Sequence, residues 1–119
     1  MRYLVDSCVL ICVIDNNIPK LGELYNLLRN PKAECYVSVA SYWEIIIKKN
    51  LGKLEIPSSF AEEIMDFGFK WLPLEPAHID TLELLPDIHK DPFDRILIAQ
   101  ARYSFLKLLT LDKKIQQYF

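Results

Sequence analysis

The chain has 119 residues, of which 51% are hydrophobic and 25% charged, enough for one domain, residues 1–119, with a real core. Three glycines, seven prolines and three cysteines without a CxxC pair exclude collagen-like, low-complexity and disulfide-scaffold classes. A net charge of −2 lacks the basic footprint of an ordinary nucleic-acid binder, so nucleic acid would have to be held locally.

Arg2 to Val5 reads as a short buried strand that runs into Asp6-Ser7, a helix cap, and then into the apolar segment Cys8 to Ile14. Asn16, Asn17 and Pro19 break the chain, and Leu21, Leu24, Tyr25, Leu27 and Leu28 then predict one helix over 20–29, stopped by Asn30-Pro31. Cys35 to Val39 is a second strand. Ser38 or Ser41 caps the next helix, which is dense in Trp43, Ile45, Ile46 and Ile47 and ends at Leu51-Gly52. Pro57-Ser58-Ser59 opens another helix with Phe60, Ile64 and Phe67 on one face and Gly68 at its end. Phe69 to Leu74 is a third strand, Pro76 to Leu85 a short helix, and Pro86 to Asp91 a polar loop. Asp91-Pro92 starts a helix over 92–104 with Pro at its first position. Lys107 to Leu111 is a fourth strand, and Asp112 starts a final helix.

Strands that alternate with helices and lack polar alternation predict an α/β fold, a mainly parallel sheet with helices on both faces. The longest apolar stretches, Cys8 to Ile14 and Ile45 to Ile47, are too short for a membrane span. With no basic region leading into a cleavable apolar stretch, a cytoplasmic location is expected. The cysteines, Cys8, Cys12 and Cys35, are expected as buried reduced thiols.

Right-handed crossovers bring strand ends and helix starts to one sheet edge, where ligands of such folds bind. Asp6, Glu44, Asp94 and Asp112 each fall at such a place. Each has a plain structural reading: Asp6 and Asp112 as helix caps, Asp94 as part of a capping arrangement, Glu44 as the partner of Lys48 one turn on. Glu44 resists its reading best, because Trp43, Ile45, Ile46 and Ile47 surround it with apolar side chains. Together the four acids would repel unless a cation joined them. Oxygen donors suit Mg2+ or Mn2+, ions that activate water and stabilise in-line attack on a phosphodiester. Lys48, Lys49, Lys53, Lys90, Arg95, Lys113 and Lys114 lie near these acids and read equally as solvated helix faces or as a basic rim. His78 and His89 have no second His at metal spacing and read as surface or loop residues.

Several blocks carry a resemblance. Val5-Asp6-Ser7-Cys8-Val9-Leu10, Ser41-Tyr42-Trp43-Glu44-Ile45 with Lys48 and Leu51-Gly52-Lys53-Leu54, His89-Lys90-Asp91-Pro92-Phe93-Asp94-Arg95 through Ile98-Ala99-Gln100-Ala101, and Thr110-Leu111-Asp112 resemble the PIN-domain family, in particular its VapC-like toxin branch. The resemblance implies a compact α/β sandwich with a four- to five-stranded sheet. It also implies a Mg2+- or Mn2+-dependent endoribonuclease, the toxin of a toxin-antitoxin pair, usually homodimeric and neutralised by a small antitoxin. Asp6 and Asp94 match the family's principal metal ligands, and Glu44 and Asp112 its supporting acids. Ser7, Lys48 and Arg95 stand in the matching blocks and are expected to support or orient substrate, while Asp91 is kept as a cap. Two departures stand out: Cys8 replaces a residue that is often Asn or His, and the chain stops at Tyr118-Phe119 where many relatives continue into a last strand.

Two other readings compete. A binding-only PIN module would bind metal without cutting RNA. A receiver-like signalling domain would want adjacent acids after the first strand and a phospho-accepting Asp after the third, whereas Asp6-Ser7 and Leu74-Glu75 stand there.

Overall fold

The computed structural model describes residues 1–119. Four short strands, β1 (Arg2–Val5), β2 (Glu34–Ser38), β3 (Lys70–Leu72) and β4 (Lys107–Leu109), pair in the order β3-β2-β1-β4. Every pairing is parallel, with Val5 opposite both Val37 and Leu109. Parallel neighbours require crossovers, and helices supply them: α1 (Ser7–Ile14), α2 (Ile18–Leu21), α3 (Leu24–Arg29), α4 (Val39–Asn50), α5 (Phe60–Asp66), α6 (Pro76–Thr81), α7 (Pro92–Ser104) and α8 (Lys113–Gln116). No helix is long and apolar enough to cross a membrane.

The strand period of two divides the core between the sheet faces. Tyr3, Val5, Cys35, Val37 and Leu109 pack with Val9 and Leu10 of α1, Ile45 of α4 and Phe60 and Ile64 of α5. Leu4 and Leu108 point the other way, onto Leu97, Ile98 and Ala101 of α7, Ile115 of α8 and Tyr118. The fold is the expected helix-sheet-helix sandwich, with a four-stranded sheet and no fifth strand.

Several local expectations are corrected. The helix predicted over 20–29 is two short ones, because Gly22 adopts φ 57° and ψ −129°, a conformation cheap only for glycine. The third strand stops at Leu72 because Pro73 has no N–H to extend the ladder. The helix from Pro76 ends at Thr81 and continues as a single 3-10 turn, Leu82–Leu84. Phe67 follows the last turn of α5 and is exposed, off the face shared by Phe60 and Ile64. Ser38, not Ser41, caps α4, its hydroxyl accepting from the Ala40 N–H at 3.0 Å. Cys12 and Cys35 are buried free thiols, but Cys8 is exposed.

Candidate functional site

The inner strand β1 lies beside the edge strand β4, and the helices that follow them leave on opposite faces, α1 on one and α8 on the other. Such a switch opens a crevice outside the carboxyl ends of the two strands. A groove of about 280 Å³ occupies that place, lined by Asp6, Ser7, Cys8, Lys20, Glu44, Lys48, Asp91, Asp94, Leu111, Asp112 and Ile115. All four acids singled out in the sequence therefore meet on one groove, although they come from four separate stretches of chain.

Each carboxylate is fixed by its element. The Asp6 N–H still bonds the Leu109 carbonyl at 3.2 Å, extending the β1–β4 ladder by one residue. One Asp6 oxygen caps α1 by accepting from the Val9 N–H at 2.8 Å, and the other accepts from the Thr110 hydroxyl. Thr110 in turn accepts from the Asp112 N–H at 3.0 Å, so one hydroxyl ties the ends of β1 and β4 together. Asp112 caps α8, its Oδ1 accepting from Lys114 and Ile115 N–H groups, which leaves Oδ2 toward the groove. Glu44 is buried in α4 and held by two partners: the Ser7 hydroxyl donates to Oε1 at 2.9 Å, and Lys48 Nζ lies 3.2 Å from Oε2. Asp94 sits in the first turn of α7, where Asp91 Oδ1 accepts from the N–H groups of Phe93 and Asp94. Asp91 is the cap the sequence suggested.

The electrostatics record the crowding. Burial pushes the Asp6 carboxyl above its ordinary 3.8, with smaller upward contributions from Asp112 and Glu44. Asp94 is pushed up to about 6, first by burial and then by the charges of Asp91, Glu44 and Asp112. Burial would raise Asp112 too, but two backbone N–H groups and His89 outweigh it and hold that carboxyl below its ordinary value. Burial also raises the Cys8 thiol, and the Asp6 charge adds to it. Cys8 is therefore a neutral neighbour of the groove at pH 7, not a thiolate ligand.

His89 is the residue the sequence reading missed. Its ring is only 13% exposed, with Nε2 3.0 Å from Asp94 Oδ2 and 3.4 Å from Asp112 Oδ2. Its Nδ1 accepts from the Asp91 N–H at 3.1 Å, so the neutral ring carries its proton on Nε2 and donates to both acids. The donor atoms of His89, Asp94 and Asp112 lie within 4.8 Å of one another, and Asp6 lines the groove beside this trio. An oxygen-rich set at such spacing fits a hard divalent ion. His89 fits better as a hydrogen-bond donor to the ligands than as a ligand, because its Nε2 is protonated.

The PIN domain profile matches residues 3–118. The chain belongs to the PIN domain family. No curated protein matches its sequence. Among solved structures, the crystal structure of VapBC2 from Rickettsia felis bound to a DNA fragment from their promoter is similar. The two share a TM-score of 0.72 at 12% identity, over 99% of this chain and 93% of that one. At that identity the likeness is one of fold.

In this PIN domain His89 lies in a loop, as expected, but neither histidine is exposed. His78 is buried, its Nδ1 accepting from the Glu75 N–H at 3.1 Å to complete a capping box on α6. Arg95, expected to orient substrate, does not line the groove. Its Nη1 donates to the Pro86 and His89 carbonyls, each at 3.2 Å, and reaches the Tyr118 hydroxyl. It staples the loop that carries His89. Of the seven cations near the acids, Lys48 lines the groove, and Lys20, which the reading passed over, lines it too.

Proposed function

We propose that this PIN domain is a metal-dependent endoribonuclease and the toxin of a toxin-antitoxin pair. The observation that carries the reading is the meeting of Asp6, Glu44, Asp94 and Asp112 on one groove at the carboxyl edge between β1 and β4. Asp6 and Asp94 would hold Mg2+ or Mn2+, which would supply an activated water and neutralising charge for in-line attack on an RNA phosphodiester. Each Asp6 oxygen uses one acceptor site on the protein and keeps another for a cation. Ser7 and Lys48 hold Glu44 oriented and charge-balanced, so its remaining lone pairs face the groove as a proton acceptor. Asp112, held ionised, supports the cluster from the β4 side. Lys20 and Lys48 offer ammonium groups to the phosphates of the bound strand.

The toxin assignment rests on the resemblance to the VapC-like branch, and the fold shared with a VapBC2 assembly held on promoter DNA is consistent with it. On this reading the protein acts in the cytoplasm as a homodimer and is neutralised by a small cognate antitoxin. The test is an RNA digest. The purified chain cuts RNA with Mg2+ or Mn2+ and stops in chelator, and Asp6→Asn or Asp94→Asn slows cutting by about a hundredfold or more, the scale on which loss of one transition-state group is felt. Unchanged cleavage in both variants rejects the assignment. Expression of the wild type, but not of Asp94→Asn, arrests growth, and growth that continues under the wild type rejects the toxin role.

A further inference from the structure

We propose that Trp43 and Phe93 form an aromatic platform on the rim of the acidic groove, on which an unpaired nucleobase of the RNA stacks; this deepens, and rests on, the nuclease reading. Trp43 precedes Glu44 and Phe93 precedes Asp94, so each aromatic residue sits one Cα step, about 3.8 Å, from a residue that lines the groove, although neither ring lines it. Their ring centroids are 5.2 Å apart with planes at 78°, an edge-to-face pair that joins the N-terminal halves of α4 and α7. Phe93 thereby fixes the indole, which nonetheless stays 59% exposed. The exposed indole is a flat, uncharged surface on which a second ring can stack.

The surroundings identify the occupant. Lys48, one turn beyond Glu44, and Lys20 line the adjoining groove, so cations for backbone phosphates stand next to an uncharged stacking surface. That is the combination that binds single strands, in which each base has a free face. In a duplex those faces are covered. A second copy of the chain is the competing occupant, since Val39, one turn earlier on α4, is also exposed. A base needs Trp43 alone, whereas a protein surface would cover Val39 as well.

The test uses the full chain carrying Asp94→Asn, so that RNA stays intact. It measures anisotropy of a labelled single-stranded RNA of about ten nucleotides, within the range one strand-binding site spans. Adding Trp43→Ala weakens binding about 5- to 150-fold, the range of one lost stack, while Trp43→Phe keeps most of it. An abasic site stepped along the RNA reproduces the loss at one position, and there Trp43→Ala adds no further loss. Val39→Glu leaves affinity unchanged. Unchanged binding by Trp43→Ala, or abasic and Trp43→Ala losses that add at every position, overturns the platform. So does RNA affinity that falls together with a dimer broken by both Trp43→Ala and Val39→Glu, which assigns this face to a second copy. With Asp94 restored, Mn2+-dependent cleavage that persists alongside such a result leaves the nuclease reading standing. A chain that neither binds nor cuts RNA removes both.

Discussion

Asp94→Asn makes the metal-free protein more stable, and the gain depends on pH. A carboxyl that releases its proton near pH 6 instead of 3.8 has its charged form disfavoured by at most about 3 kcal/mol, at about 1.36 kcal/mol per pH unit. The folded chain then binds more protons than the unfolded one between pH 3.8 and about 6, so the wild type loses stability as pH rises through that window. The carboxamide removes the charge while its oxygen still accepts from His89. It gives up a favourable charge in the first turn of α7, worth about 0.3–1 kcal/mol. The net gain in chelator is about 1–2 kcal/mol at pH 8, or roughly 4 °C per kcal/mol in Tm at this chain length, and it vanishes near pH 3.8. Mn2+ reverses the order, because it stabilises only the chain that binds it, by about 2.7 kcal/mol at a hundred times Kd. Urea denaturation in chelator from pH 4 to 8, repeated with Mn2+, measures all of this. A variant less stable than the wild type at pH 8 in chelator, or a gain that does not change with pH, refutes the account of a crowded, desolvated acid.

Three other substitutions report on the scaffold. Phe105→Gly stabilises the chain by about 0.5–1 kcal/mol in urea unfolding, because Phe105 ends α7 at φ 55° with its side chain 90% exposed; glycine relieves left-handed strain at that position at some cost in unfolded-state entropy. Tyr118→Phe costs about 1–3 kcal/mol, since the hydroxyl accepts from the Ile88 and His89 N–H groups, at 3.2 and 2.7 Å, and its loss leaves these two backbone donors unpaired. Ser7→Ala removes the donor to Glu44 and costs about 1–2 kcal/mol, and RNA cleavage falls about tenfold while RNA affinity measured in the Asp94→Asn background stays level.

The fold was legible because its signals are local. Pro92 after Asp91 and the apolar spacing that follows predict a helix over 92–104, which is the observed α7. Apolar strands without alternation predict burial on both faces, as β1 and β2 are found. Errors fell where one backbone angle or one missing N–H decides. Gly22 lies inside a pattern that reads as a continuous helix, and only its φ of 57° says otherwise. Pro73 was in plain view, and weighting its missing donor would have placed the end of β3.

The site divides along the same line. The meeting of the four acids follows from topology, because strand ends and helix starts share an edge in any parallel α/β sheet. What the sequence cannot supply is which way a loop turns its side chains. His89 lies in a loop without periodicity, and it reaches Asp94 and Asp112 only because Arg95 and Tyr118, one on α7 and one near the chain end, hold the loop by its backbone. Arg95 stands beside an acidic residue, and adjacency suggested substrate, yet successive helix positions lie about 100° apart. The side chain next to Asp94 on the N-terminal side meets Trp43, while the one on the C-terminal side turns away to the loop.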